Sequence, residues 1–195
     1  MTPGFHAAAA IVGLALVAAP PLSSTARAAE IKVLCSVGIK AVVYESGPDA
    51  IAGIAKGDVK PGHVLVVRGM GPKGGPGMAG PASRVVFAVD AAGLSNEVAV
   101  VTDGQLSGLC NKGLTVAEVS PESAVGGALS LVENGDRISI DVDRHVLDLD
   151  VPEAELAARR TRRGQPVLPR SRGYLSIYQR SVQPMSTGAV LIKPD

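Results

Sequence analysis

The chain has 195 residues and a mass of 19.8 kDa, enough for one domain with a buried core and too short for two sizeable ones. Hydrophobic residues make up 46% and charged residues 19%, which argues against wholesale disorder. The net charge of +1 gives no whole-molecule bias toward nucleic acid or an anionic membrane, and three Tyr, two Phe and no Trp leave little surface for stacking bases or sugars. Two cysteines, Cys35 and Cys110, cannot build a disulfide framework or a thiolate cluster site alone. His6, His63 and His145 lie far apart, without the spacing of a histidine metal motif.

In chain order, the first feature is an apolar run at residues 7–19, AAAAIVGLALVAA. It is shorter than the roughly 20 residues a membrane-spanning helix needs. Pro20-Pro21 end it, and Ala26-Arg27-Ala28 gives the A-x-A pattern of a signal-peptidase site. Residues 1–28 therefore read as a secretory leader, although residues 1–6 carry no Lys or Arg. Export to the periplasm is the expectation if the leader is genuine, and a cytoplasmic chain otherwise. No membrane span is expected in the mature chain. Residues 29–41, with Ile31–Leu34 as a strand, resemble the mature start of periplasmic molybdate-type solute-binding proteins.

The body begins at Val42. A strand Val42–Tyr44 leads to a helix over Pro48–Ala55, with Pro48 in its first turn. Gly57 and Lys60-Pro61-Gly62 mark turns, and His63–Arg68 reads as a buried strand. Residues 69–81, GMGPKGGPGMAGP, form a long glycine- and proline-rich loop. Ser83 is placed to cap a helix Arg84–Ala92 that Gly93 stops. Glu97–Thr102 is a second buried strand, Asp103–Gly113 a polar loop, and Leu114–Val119 a third strand. Asn134-Gly135 predicts a turn between strands Ala128–Val132 and Arg137–Val142. The period-2 alternation of VLDLDV predicts a strand over His145–Val151. Pro152 opens a helix with acids early and arginines late, as the helix dipole favours. A last helix at Arg172–Val182 and a last strand at Gly188–Lys193 complete the reading. The mixture of strands and helices predicts an α/β, barrel-like domain.

Four groups of residues could carry chemistry. Gly69-Met70-Gly71-Pro72-Lys73-Gly74 has the G-x-G-x-x-G spacing after a strand, but Pro76 would fall inside the helix that a dinucleotide site requires, so that reading fails. The same loop could cradle an anion on its main-chain amides with Lys73 supplying charge; a plain surface loop is the alternative. Thr102-Asp103-Gly104-Gln105-Leu106-Ser107-Gly108 puts Ser107 between glycines after a buried strand. Its hydroxyl is inert near neutral pH unless a base or a metal activates it, and a turn serine is the plainer reading. The arginines at 159, 160, 162, 163, 170 and 172 could bind acid or phosphate, or simply form a solvated helix end.

Three segments, Gly71–Met78, Thr102–Gly108 and Val119–Gly127 running on to Gly135-Asp136, stand in one order and spacing. In these the chain resembles the C-terminal domain of the dihydroxy-acid, phosphogluconate and sugar-acid dehydratase family, over roughly residues 42–192. Pro61-Gly62 and Arg172-Gly173-Tyr174-Leu175 fit the same pattern. The resemblance implies a swivelling β/β/α barrel. It implies a hydro-lyase that dehydrates a 2,3-dihydroxy acid, an aldonic or sugar acid, to a 2-keto-3-deoxy acid. Ser107 matches the family's base for the α-proton. Lys73, Gly74, Gly75, Gly77, Thr102, Asp103, Gly104 and Gly108 would line the cleft. An iron–sulfur cluster and Mg2+ are implied as cofactors, their ligands lying in a separate N-terminal domain or subunit and none in this chain. Two positions depart from the family: Gly80 stands where many members carry a magnesium-binding Glu, and Gln105 where an Arg is common. The expected partners are a hydroxy-acid substrate and a cluster-bearing domain or subunit, with no nucleic acid. The alternative is an exported, non-catalytic remnant or small-acid-binding protein.

Overall fold

The structure is a computed structural model that describes residues 39–75 and 80–192, all within the unit Ile31–Asp195. The leader at 1–28, the strand expected at Ile31–Leu34 and the loop residue Gly77 lie outside the described residues. Four parallel strands are built from the valine-rich runs: β1 (Ile39–Tyr44), β2 (His63–Val67), β3 (Ala99–Thr102) and β4 (Leu114–Val116). β5 (Arg137–Asp141) runs antiparallel to β1, and β6 (Val146–Leu149) antiparallel to β5, giving the order β4-β3-β2-β1-β5-β6. β1 begins at Ile39, so it takes in the last three residues of the 29–41 segment.

Residues 64–67 of β2 and 99–101 of β3 are apolar and buried at every position because both sheet faces are covered. Leu65 and Val67 of β2 point to one face, where they meet α1 (Gly47–Lys56) and α2 (Gly80–Ala91) through Ala50, Ile54, Val85, Val86 and Val89. Val64 and Val66 point to the other, with Ala41, Val101, Leu129, Val132, Ile138 and Ile140. That second face has no helix layer among the described residues; the sheet curls so that β5 and the 3₁₀ turn Ala128–Leu131 cover it. The result is an α/β half-barrel, completed by α3 (Glu153–Arg163) and α4 (Tyr174–Ser181).

Local signals explain most boundaries. Ser46 accepts the amide of Asp49 at 3.2 Å as the α1 N-cap, Pro48 sits in the first turn, and Gly57 closes the helix at φ 79°. α2, however, starts three residues before Ser83, which is buried inside the helix rather than capping it. β4 stops at Val116, two residues before Glu118 takes a positive φ of 58°. The final strand shrinks to one bridge, Val182 to Leu191.

Ala128–Val132 is the largest departure: it forms a 3₁₀ turn, not a strand. Its carbonyls are met by two buried guanidinium groups instead of a ladder. Arg68 donates from one nitrogen to the carbonyls of Leu129 (2.9 Å), Ser130 (3.1 Å) and Val132 (2.7 Å), and its other nitrogens hold Glu45. Arg159 donates to the Leu131 carbonyl at 2.9 Å and pairs with Asp136 and Glu155. Asn134 does not turn a hairpin; its side-chain oxygen accepts the amide of Val43 at 2.7 Å, while the Gly135 amide donates to the Ala41 carbonyl.

Replacing Arg68 by Met keeps the packing volume and removes the guanidinium donor from the carbonyls of Leu129, Ser130 and Val132, of which Leu129 alone keeps an amide donor, that of Val132. The expected loss is about 3 kcal/mol of stability, read as a lower urea midpoint at an unchanged m-value.

Candidate active site

Parallel strands deliver their loops to one edge of the sheet, so the segments after β1, β2, β3 and β4 converge at its C-terminal edge. The glycine loop follows β2 and the Ser107 loop follows β3. His63 begins β2 and His145 lies in the β5–β6 turn, both toward the opposite edge, so neither is placed to serve as a base for Ser107.

The glycine loop is held from inside the chain. Asp103, 0% exposed, accepts the Gly69 amide at 3.2 Å and the Met70 amide at 2.9 Å. It also accepts the amide and the hydroxyl of Ser123, at 2.8 and 2.6 Å. Glu122, 7% exposed, accepts the amides of Lys73 (2.9 Å) and Gly74 (2.8 Å). From the outer side, Gln179 on α4 donates to the Lys73 carbonyl at 2.6 Å. The amides that suggest an anion cradle therefore already bind two carboxylates of the chain itself. Gly71 is required by this packing: a Cβ there would fall 2.4 Å from the Glu122 carboxylate.

The serine loop packs just as closely. A Cβ on Gly104 would lie 2.8 Å from that of Met70 and 3.0 Å from that of Ala82, so only glycine lets the loop pass between the glycine loop and α2. Thr102, the last residue of β3, is buried and accepts the Gly104 amide at 3.0 Å. Beyond it, Ser107 is exposed, next to exposed Gly108. The Ser107 amide donates to the Ser83 hydroxyl at 2.8 Å, and its carbonyl accepts the Cys110 amide at 2.9 Å. Its own hydroxyl oxygen accepts the Leu109 amide at 3.3 Å, a contact that favours negative charge on that oxygen.

Of the residues singled out in the sequence, the structure thus gathers Lys73, Gly74, Gly75, Thr102, Asp103, Gly104, Ser107 and Gly108 at one edge. Glu122, Ser123, Ser83 and Gln179 join them as supports that motif reading did not single out. Glu122 and Ser123 lay within the quoted Val119–Gly127 segment, but nothing local shows a carboxylate reaching back to amides 48 and 49 positions away.

The cofactors implied by the family find no ligand set among the described residues. Cys110 is the one cysteine among them and is free, where a cluster takes several thiolates. No group of three His, Cys, Asp or Glu among the described residues could hold a metal ion. The two buried carboxylates at the site are engaged by main-chain amides. Position 80 is glycine, exposed and facing open space, so it offers no oxygen.

The dihydroxy-acid/6-phosphogluconate dehydratase C-terminal family matches residues 21–189. The chain is 45% identical over 154 residues to "Dihydroxy-acid dehydratase 2" of Pseudoalteromonas translucida, covering 79% of this chain and 27% of that protein. It is 49% identical over 152 residues to the dihydroxy-acid dehydratase of Methanothrix thermoacetophila, covering 77% of this chain and 27% of the relative. With the dihydroxy-acid dehydratase of Anaeromyxobacter sp. strain K the identity is 45% over 162 residues, 80% of this chain and again 27% of the relative. The chain thus spans about a quarter of the length of the curated relatives it matches.

Burial raises the Glu122 carboxyl above its ordinary value; the Gly74 and Lys73 amides oppose this, and the Asp103 charge adds to it. The folded chain then binds this proton more tightly than the unfolded chain. Its contribution is fully present below the ordinary Glu value and is lost as pH rises through the folded value. Glu122→Gln removes that slope: comparing urea unfolding of the two proteins from about pH 4 to pH 7, the difference should move steadily against the wild type. Asp103→Asn should cost about 3 kcal/mol and speed amide hydrogen exchange at Gly69 and Met70.

Proposed function

The chain belongs to the dihydroxy-acid/6-phosphogluconate dehydratase C-terminal family, and from that premise we propose that Ser107 is the base that takes the α-proton of a 2,3-dihydroxy acid. The observation that carries the proposal is an exposed hydroxyl whose backbone is fixed by Ser83 and whose oxygen already receives an amide hydrogen. Removal of that proton and loss of the neighbouring hydroxyl as water give an enol, which becomes the 2-keto-3-deoxy acid. Gln105 and Gly80, at the two departures from the family pattern, favour an aldonic acid as the substrate; the names of the relatives favour a dihydroxy acid without saying which.

Ser107 cannot do this alone. A serine hydroxyl needs a base, a metal or strong positive charge to become basic at neutral pH. Among the described residues its oxygen accepts the Leu109 amide, and no group of three His, Cys, Asp or Glu could hold a metal ion. The activating groups, an iron–sulfur cluster and Mg2+, would come from the part of the relatives that this chain does not cover. When bound, they supply the charge that stabilises the enolate and draws off the hydroxyl. This chain's share is to hold Ser107 in place, line the cleft with the glycine loop and exclude water there. The same lack of a ligand set favours a second reading, in which the chain is an exported small-acid-binding or remnant protein. Export itself rests on the leader at 1–28.

The deciding experiment mixes or co-expresses the chain with the cluster-bearing N-terminal portion of a relative and assays aldonic and branched dihydroxy acids. A brown, active mixture is expected, with the chain alone colourless and inactive; a colourless, inactive mixture sinks the proposal. Ser107→Ala should lower the rate of the active mixture by about 10³ without changing its colour. The leader is tested by the mature N-terminus: a periplasmic chain starting at Ala29 or Glu30 supports export, and an unprocessed cytosolic chain refutes it.

A further inference from the structure

A cavity opens beside Gly69 and Gly74 of the glycine loop. Its volume is about 870 Å³, within the range of small-molecule sites. One wall is Gly69, Gly74 and Ser123; the other is the end of α3 and the strap from Gly164 to Pro169. Ser107 is not among its lining residues.

The strap holds the cavity open. At its start the Gly164 amide donates to the Arg160 carbonyl at 3.1 Å, and at its end the Pro169 carbonyl accepts Gln179 at 3.0 Å. In between, Pro166 packs against Gly126, where an added Cβ would meet its ring at 3.1 Å. Two prolines and three tethers make a cleft that does not have to be ordered on binding.

Its charge is one-sided. The charged lining residues are Glu45, Arg68, Arg160 and Arg163. Arg68 and Glu45 bind each other, and Arg68's remaining donors go to carbonyls. Arg160 keeps an exposed ion pair with Glu153 at 2.6 Å, which a ligand can displace at little cost. Arg163 has no acid within ion-pair distance among the described residues; Glu45, already paired, is the acid that feels its charge. Glu133, Glu155 and Asp136, the other acids near α3, are held by Arg159 and Arg162. Ser130, Thr161 and Gln165 add polar groups to the lining.

We infer that this cleft is a binding site for a small, multiply charged oxyanion, a phosphate ester or a dicarboxylate, held by the Arg160 and Arg163 guanidinium groups. Planar guanidinium groups bind either oxyanion through paired hydrogen bonds. Because Gly69 and Gly74 form one wall, a bound ligand touches the loop that Asp103 and Glu122 hold. The inference does not depend on the role of Ser107.

The test uses the full chain, labelled with nitrogen-15 and titrated with inorganic phosphate, malonate or chloride at matched ionic strength. Saturable shifts are expected at the amides of Gly69, Gly74, Ala124 and Gly164, with a Kd on the order of 1 mM or tighter. Arg163→Gln should weaken binding roughly 10-fold and Arg163→Lys less, while Ser107→Ala changes nothing. Arg163 is exposed, so the variants should keep the wild-type spectrum elsewhere. Saturable phosphate binding alone identifies the ligand as a phosphate ester, and malonate binding as a dicarboxylate; either upholds the site. Shifts that match those of chloride, or that persist in Arg163→Gln, overturn it.

Discussion

Asp103 directly follows β3 with a carboxylate that no solvent reaches, and the C-terminal edge of the sheet is organised around it. A buried carboxylate is costly unless its lone pairs are met. Here four donors meet them: two amides of the glycine loop and the amide and hydroxyl of Ser123. One side chain thus ties the loop after β2 and the turn after β4 to the end of β3, leaving the next residues of its own strand loop to carry Ser107 outward. Glu122 repeats the arrangement one turn further along the glycine loop. These carboxylates fix the shape of a loop whose composition alone would leave it free.

The half-barrel follows the same logic with the opposite charge. Arg68, directly after β2, and Arg159, on α3, reach the carbonyls of residues 129–132 and replace a strand ladder by guanidinium hydrogen bonds. The curled face needs no helix layer because this turn, fastened by arginine, brings Leu129 and Val132 onto Val64 and Val66. Burial pushes the Asp136 carboxyl up, but the Arg159 hydrogen bond, the Glu133 amide and the Arg159 charge together outweigh it and hold the group below its usual range. That pair is therefore a stabilising feature at neutral pH, lost only on acidification.

This division explains what was legible in the sequence. The valine-rich strands, α1 with Pro48 in its first turn and α3 with its charge gradient are local patterns, and each appears close to its expected place. Residues 128–132 read as a strand because their apolar content is that of one. Their state is decided by Arg68 more than sixty positions earlier, which no local window contains. Ser83 likewise looked like a cap and became the acceptor for the Ser107 amide. At the site, motif spacing found Ser107 and Asp103 but could not tell exposed from buried, and so could not separate the proposed base from the group that holds the loop.

That separation bears directly on how the chemistry must be shared. The carboxylates of Asp103 and Glu122 point inward at main-chain amides, while the neutral hydroxyl of Ser107 lies on the exposed part of the serine loop. A site built to act alone would keep a charge or a base beside its nucleophile, because the amide that Ser107 receives from Leu109 stabilises negative charge without removing a proton. An edge that spends its carboxylates on rigidity offers position rather than driving force. It suits the proposed sharing, in which the groups that activate Ser107 come from outside this chain; the curated relatives are nearly four times the length matched here.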